Sequence, residues 1–391
     1  MNYHSTPEHI ITLDTMRSNP EAFEKNMKLM SEYMPFNETD TNKQADLYRK
    51  YIGDNLRYFV KNAPEDFTQR SGNWYKGANA LANDMSNAYN IPIEASAGVL
   101  ARLSPQQNWL HNVEQADRVA DIFTNHQNTV MPVGKYKGTK LKDLPDSLSQ
   151  AEWIKDFDQH TTRNEYYGIT PEGALSDEII RTKTGEPSTF VWQSFPNLSR
   201  AVDILKDPSI ENVSKSLGLG GHKIRNFYNN MADPFHPEDV TIDTHAGAAA
   251  LFTPYSASAI PIGHLFGGGA KKGIVEGSSK SGMAHGMYGL YADSYRDVAK
   301  DLNLPAQSLQ SQIWELVRET FPTMGKEKMQ KQIQTNVLDE LKKGKITEEE
   351  ARNKILDIAT KGKGFLLPDW YTQDYAKGGS VGLQELANKY M

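Results

Sequence analysis

Apolar residues return at helical spacing along most of the chain. Between Ala78 and Tyr89 they fall at Ala78, Leu81, Ala82, Met85 and Tyr89, one stripe of an amphipathic helix. Asn90 and Pro92 interrupt that stripe. Val99, Leu100 and Leu103 predict a second helix, which ends at Ser104-Pro105 because proline removes a donor and fixes φ. Val113, Ala116, Ala120 and Phe123 predict a third, ending near Asn125. Further helices are predicted at 196–206, 209–217, 287–302 and 306–320. The fold class that follows is all-α.

Three stretches depart from this pattern. Residues 126–190 are broken by glycine and proline ("VMPVGKYKGTKLKDLP", "TRNEYYGITPEG") and read as an irregular insertion with one short helix around Trp153. Residues 254–286 are rich in glycine, serine and alanine and read as a flexible loop. From 325 to about 360 the chain is highly charged. There Thr347 is a good N-cap with acidic residues in the first turn, which predicts a solvated helical appendage. The end, "YAKGGSVGLQELANKYM", reads as a loose or docking tail. The expected division is an N-terminal helical segment at 1–70, a main helical domain at 71–322, and an appendage with tail at 323–391.

Composition narrows the function classes. The 391 residues include no cysteine, which removes disulfides, thiolate metal sites and a cysteine nucleophile. No apolar run is long enough for a transmembrane helix, and the N-terminal residues lack a signal-peptide pattern. The formal charge of −6 counts against a broadly basic nucleic-acid binder but leaves room for a local basic face.

The densest chemistry lies in "KSLGLGGHKIRNFYNN" (215–230) and in "VTIDTHAGAAALF" (240–252). Glycines between two helices allow positive φ and a close backbone approach, and outward N–H groups before a helix attract an anion. A glycine C-cap with a sharp connection explains the same residues without a ligand. Asp243 before an apolar helix is either a plain N-cap or a carboxylate placed for chemistry. "FGGGAKKG" lacks the ending of a nucleotide P-loop.

In combination, "LGGHKIRN" and "IDTHAGAAALF" resemble the helix–hairpin–helix and catalytic-aspartate segment of the helix–hairpin–helix DNA glycosylases, the endonuclease III superfamily. Lys223 matches the hairpin lysine and Asp243 the aspartate, 20 residues further on. Upstream, "AGVLARLSPQQNWLHNVEQADRVADIF" resembles the family segment that wedges a glutamine into the base stack, with Gln106 as the match. The likeness covers residues 75–125 and 195–320. The hairpin lacks the usual proline, and 126–190 is extra. The segment order also resembles phage-encoded glycosylase relatives proposed to act in thymine hypermodification. The stretch "MYGLYADSYRDVAKDLNLPAQSLQSQIWELVRETFP" and the "YAKGGSV" tail are similar to segments of phage polyvalent proteins.

The resemblance implies a two-lobed helical domain with the hairpin and Asp243 facing a cleft. It assigns Asp243 to stabilising the developing sugar cation and Lys223 to a possible Schiff-base lyase step, with His222 beside it as a contributor. Gly218, Gly220, Gly221, His222 and Arg225 become DNA phosphate contacts. Gln106 becomes the filler for an extruded base, and His245 an orienting group. Trp109 and Trp314 read as core aromatics, with base stacking the other reading of Trp109. No cofactor and no metal are implied. The expected partner is double-stranded DNA, with phage virion proteins as further partners and no membrane. The expected place is the cytoplasm of an infected host or a virion. Three functions remain open: a DNA N-glycosylase with or without a lyase step, a phage base-modifying transferase on the same scaffold, and a non-catalytic virion or DNA-ejection component.

Overall fold

A computed structural model describes residues 10–161, 165–169, 175–182, 184–218, 222–266, 286–321, 325–368 and 371. They are mostly helical, as the apolar periodicity predicts. The chain divides into two compact units, one within Tyr75–Pro234 and the other within Thr6–Trp74 and Phe235–Gly379. This division cuts the expected 71–322 domain twice and joins the expected N-terminal segment to the later half of the chain.

The discontinuous unit begins with α1 (Leu13–Arg17), α2 (Pro20–Met30), α3 (Thr41–Asn62) and α4 (Glu65–Ser71). The continuous unit follows with α5 (Trp74–Tyr89), α6 (Ile93–Leu103), α7 (Trp109–Asn125), α8 (Ser147–Thr161), a two-stranded antiparallel ribbon of β1 (Tyr167–Ile169) and β2 (Leu175–Ile179), α9 (Phe195–Lys206), α10 (Ile210–Leu217) and α11 (His222–Ala232). The chain then returns to the first unit with α12 (Thr244–Ala250), α13 (Ile260–Leu265), α14 (Tyr288–Asp301), α15 (Ala306–Thr320), α16 (Lys326–Ile333), α17 (Asp339–Lys342) and α18 (Glu348–Thr360).

Residues 10–70 do not stand alone because their apolar faces are completed by distant helices. Tyr48, Ile52, Leu56 and Phe59 of α3 share one core with Tyr291 and Tyr295 of α14, Ile313 and Val317 of α15, and Ala249 of α12. Gly289 on α14 crosses the chain before α1 so closely that a Cβ would sit 2.3 Å from the Thr12 carbonyl oxygen. Polar ties reinforce this packing: the Leu13 N–H donates to Asp293 Oδ2 at 2.8 Å, and Arg49 grips Asp297 through two hydrogen bonds.

The charged appendage is also part of this unit. Thr347 heads α18 with a full capping box to Glu350, as its sequence predicts. The helix is not solvated all round, however. Ala351 and Ile355 lie in the core, and the buried Arg352 donates from Nε to Asn55 Oδ1 at 2.8 Å. The expected loop 254–286 contains α13, whose Pro261, Ile262 and Leu265 are buried. Residues 267–285 and 372–391, which include the tail, lie outside the described residues.

The described residues of 126–190 are more ordered than its glycines and prolines suggest. Its helix α8 runs 15 residues, and Trp153 is fully buried with Phe157 stacked on it at 4.9 Å. Met131, Leu141 and Ile154 are buried as well. Tight packing continues at Gly98 of α6, where a Cβ would lie 3.1 Å from Ile204 on α9 and 3.4 Å from Val213 on α10. These contacts hold α9 and α10 against α6.

Candidate functional site

The glycine turn begins where α10 ends. Gly218 has φ +91° and caps the helix through its N–H to the Lys215 carbonyl at 3.1 Å. An L side chain rarely adopts that backbone, which is why glycine stands there. Leu219, Gly220 and Gly221 lie outside the described residues, so the assignment of Gly220 and Gly221 to phosphate contact rests on sequence alone.

Arg225, expected at a phosphate, points inward. It is 2% exposed. Its Nε donates to the Gly218 carbonyl oxygen at 2.8 Å, and its Nη groups donate to Ser214 Oγ at 2.9 Å and to the Ser214 carbonyl oxygen at 2.7 Å. Burial depresses its pKa below the ordinary arginine value. Arg225 is thus a brace of the turn, because the last carbonyls of α10 need donors that the helix cannot supply. His222 and Lys223 open α11 half-buried, and the His222 carbonyl oxygen accepts from Asn226 Nδ2 at 2.8 Å. Further along α11, Phe227 meets Tyr75 and Trp109 edge to face, both at 6.1 Å, which places Trp109 in packing.

Gln106 sits in the loop between α6 and α7. It is exposed and holds φ +60°, a left-handed backbone unusual for a residue other than glycine. The loop is held from α9's side. Gln193 Nε2 donates to the Pro105 carbonyl oxygen, and Asn197 Nδ2 donates to Gln193 Oε1 at 3.1 Å. Asn108 closes the loop as the N-cap of α7, accepting from the His111 N–H at 2.9 Å.

Asp243 and His245 belong to the other unit. Asp243 is the N-cap of α12 and accepts from the Ala246 N–H through Oδ1 at 2.8 Å. The approach to it is rigid, because the Tyr288 hydroxyl accepts from the Ile242 N–H and donates to the Val240 carbonyl, each at 3.0 Å. Tyr295 donates to the Ala246 carbonyl at 3.1 Å, and its pKa is driven upward by burial and then by the charge of Asp243. Half-buried, the Asp243 side chain makes no second hydrogen bond among the described residues. His245 meets Trp314 edge to face at 6.2 Å, and Arg318 lies 4.7 Å over the Trp314 ring. His245 therefore packs on an aromatic wall.

One cluster escaped the sequence reading. On α7, Arg118 pairs with Glu114 at 2.5 Å and with Asp158 of α8 at 2.8 Å, and all three are buried. The guanidinium also lies 4.0 Å over Phe190, and the Tyr167 N–H donates to Glu114 Oε2 at 3.1 Å. The i, i+4 spacing of Glu114 and Arg118 was the available signal. Beside it, His111 stacks on Phe190 at 4.6 Å, and burial lowers its pKa.

A family model described as a family of unknown function (DUF7178) matches residues 38–159. That span includes Gln106 and Arg118 and stops before Gly218, Lys223 and Asp243. No curated protein and no solved structure matches the chain.

Proposed function

We propose that this chain acts on the bases of double-stranded DNA as an N-glycosylase, with Asp243 as its essential carboxylate. The observation that carries this reading is the commitment of Asp243. One oxygen is fixed by the α12 cap at 2.8 Å, which orients the group, while the other takes no hydrogen bond among the described residues. A carboxylate held in this way suits the sugar of a nucleotide whose base is leaving. The C1′–N bond breaks with its electron pair going to the base. Water adds to C1′, and Asp243 faces the positive charge or takes the water proton. Two further features support the reading. Gln106 is exposed on a braced left-handed loop, the placement needed by a group that fills the space of an extruded base. Gly218 opens a positive-φ turn before α11, which carries Lys223 as the amine for a lyase step.

The test is base release from duplex DNA, with modified pyrimidines in the substrate panel. Asp243→Asn is expected to lower release on the order of 100-fold or more with DNA binding retained. Absence of base release and base modification on the whole panel, in the parent protein, removes the catalytic reading. The cap bond also fits a competing reading, a non-enzymatic DNA-contacting scaffold, in which Asp243→Asn is close to silent because asparagine caps a helix as well as aspartate does.

A further inference from the structure

In the continuous unit, Arg102 and Arg200 have no carboxylate partner among the described residues. Arg102 ends α6 at 8% exposure, and its Nη2 donates to Asn197 Oδ1 at 2.5 Å. Its Nε is buried and has no hydrogen-bond acceptor. Arg200 lies on α9, three residues after Asn197, and is exposed. Arg200 Nη1 comes within 3.2 Å of the position that a Cβ would take on Gly218, so it reaches the start of the glycine turn. The two charges feel one another: the pKa of Arg102 falls to about 10, through desolvation first and the positive charge of Arg200 second. Among the described residues, no aspartate or glutamate pairs with either. Arg225 adds a third guanidinium beneath the same turn.

Acids are not scarce, since the chain carries 49 of them against 43 lysines and arginines. The buried Arg118 of the same unit has two carboxylates. A buried arginine normally finds such a partner, because an uncompensated buried charge is costly. Arg102 could serve the last carbonyls of α6, but that role leaves its Nε without an acceptor among the described residues and does not account for the positive charge of Arg200 that it feels.

We propose that Arg102 and Arg200, at the Gly218 turn, form a binding site for a phosphate group. A phosphate presents several acceptor oxygens and one to two negative charges. It can accept from guanidinium N–H groups and relieve the repulsion of two guanidinium groups at once. The site requires no base chemistry, so it stands apart from the function proposed above. Its phosphate can belong to a nucleic-acid backbone or to a free phosphate ester.

The experiment compares the full chain with Arg200→Gln, an exposed change that leaves the fold intact, and with Arg102→Lys as a second variant. Inorganic phosphate, acetate and a short DNA duplex are titrated calorimetrically at fixed ionic strength, and melting is followed with each anion. Phosphate is expected to bind and stabilise the parent more than acetate does. Either variant should weaken phosphate binding on the order of tenfold. If the duplex uses the site, Arg200→Gln also weakens duplex binding and reduces its salt slope by about one. Phosphate binding that the variants lose, in a protein that binds no duplex, keeps the site and assigns it to a free phosphate ester, while the DNA reading falls. Phosphate no better than acetate in the parent, with duplex affinity equal in parent and Arg200→Gln, overturns the proposal.

Discussion

Asp243 Oδ1 accepts the Ala246 N–H at 2.8 Å, so the residue assigned to chemistry also holds up the first turn of α12. Stability and activity therefore separate by substitution. Asp243→Asn keeps an acceptor at the cap and is expected to unfold within about 0.5 kcal/mol of the parent, whereas Asp243→Ala loses about 1 kcal/mol. Urea denaturation measures both. An Asn variant as unstable as the Ala variant would mean that the carboxylate charge itself, not its hydrogen bond, sustains α12.

The brace under the glycine turn predicts a different pattern. Arg225→Ala strands the Gly218 and Ser214 carbonyl oxygens that its guanidinium satisfies. An acceptor that loses its partner costs about 1–3 kcal/mol when buried, and these two are half-buried, so the variant should lose about 2 kcal/mol. Arg225→Lys should recover only part of this, because one ammonium cannot reproduce a planar fork that reaches both carbonyls. If the function proposed above holds, DNA affinity, corrected for the folded fraction, should fall through loss of turn geometry and not through loss of a phosphate contact. A folded Arg225→Ala protein of parental stability would show that the brace is dispensable.

Arg118 faces Glu114 and Asp158 in the interior, one positive group against two carboxylates. Arg118→Met takes this guanidinium away from both buried acids, and a loss of about 3–5 kcal/mol is expected. Adding Glu114→Gln and Asp158→Asn should restore much of it, since neutral amides carry a smaller desolvation penalty. Denaturant unfolding of the single and triple variants checks this. A triple variant no more stable than Arg118→Met would assign the loss to packing on Phe190.

How much of this was legible depended on the range of the contacts involved. Apolar spacing placed α9, α10, α14 and α15 within a residue of their observed bounds, because a helix that buries one face writes its period into its own sequence. Gly218 was legible as a turn for the same local reason. In 126–190 only the helix around Trp153 was, since Trp153, Phe157 and Leu141 gain their burial from partners that no local pattern names. Charge hid the buried face of α18, although not the helix: Arg352 reads as a solvent-facing residue until Asn55, far away in sequence, is placed beside it. Nor can a sequence show whether a guanidinium near a turn faces out, as was expected of Arg225, or in, as it does. Asp243 was legible as a candidate from its neighbours, but which of its oxygens is spent required coordinates.

The buried His264 makes stability pH-dependent in a defined window. Its ring is fully enclosed, with Nε2 3.1 Å from Asn26 Oδ1 and Nδ1 2.7 Å from the Tyr33 hydroxyl. The carboxamide oxygen only accepts, so Nε2 carries the proton and Nδ1 accepts from tyrosine. That arrangement needs the neutral imidazole, and burial lowers the pKa to about 4. An unfolded histidine titrates near pH ~6.5. Between those values the unfolded chain binds a proton that the folded chain does not, so stability falls as pH falls. The loss approaches about 1.4 kcal/mol per pH unit and amounts to roughly 3 kcal/mol across the window. Histidine also anchors the chain locally, for its carbonyl oxygen accepts from the Met287 N–H at 3.2 Å and Asn26 Nδ2 reaches the Gly286 carbonyl at 3.4 Å. His264→Gln should therefore be less stable than the parent at neutral pH yet lose less on acidification. Urea unfolding of both proteins from about pH 7 to about pH 4.5 gives the difference directly, with the titration of the carboxylates common to both. A gap between the two that narrows as pH drops is the expected result. A gap that stays constant would mean that His264 gains its proton equally in the folded and unfolded chains.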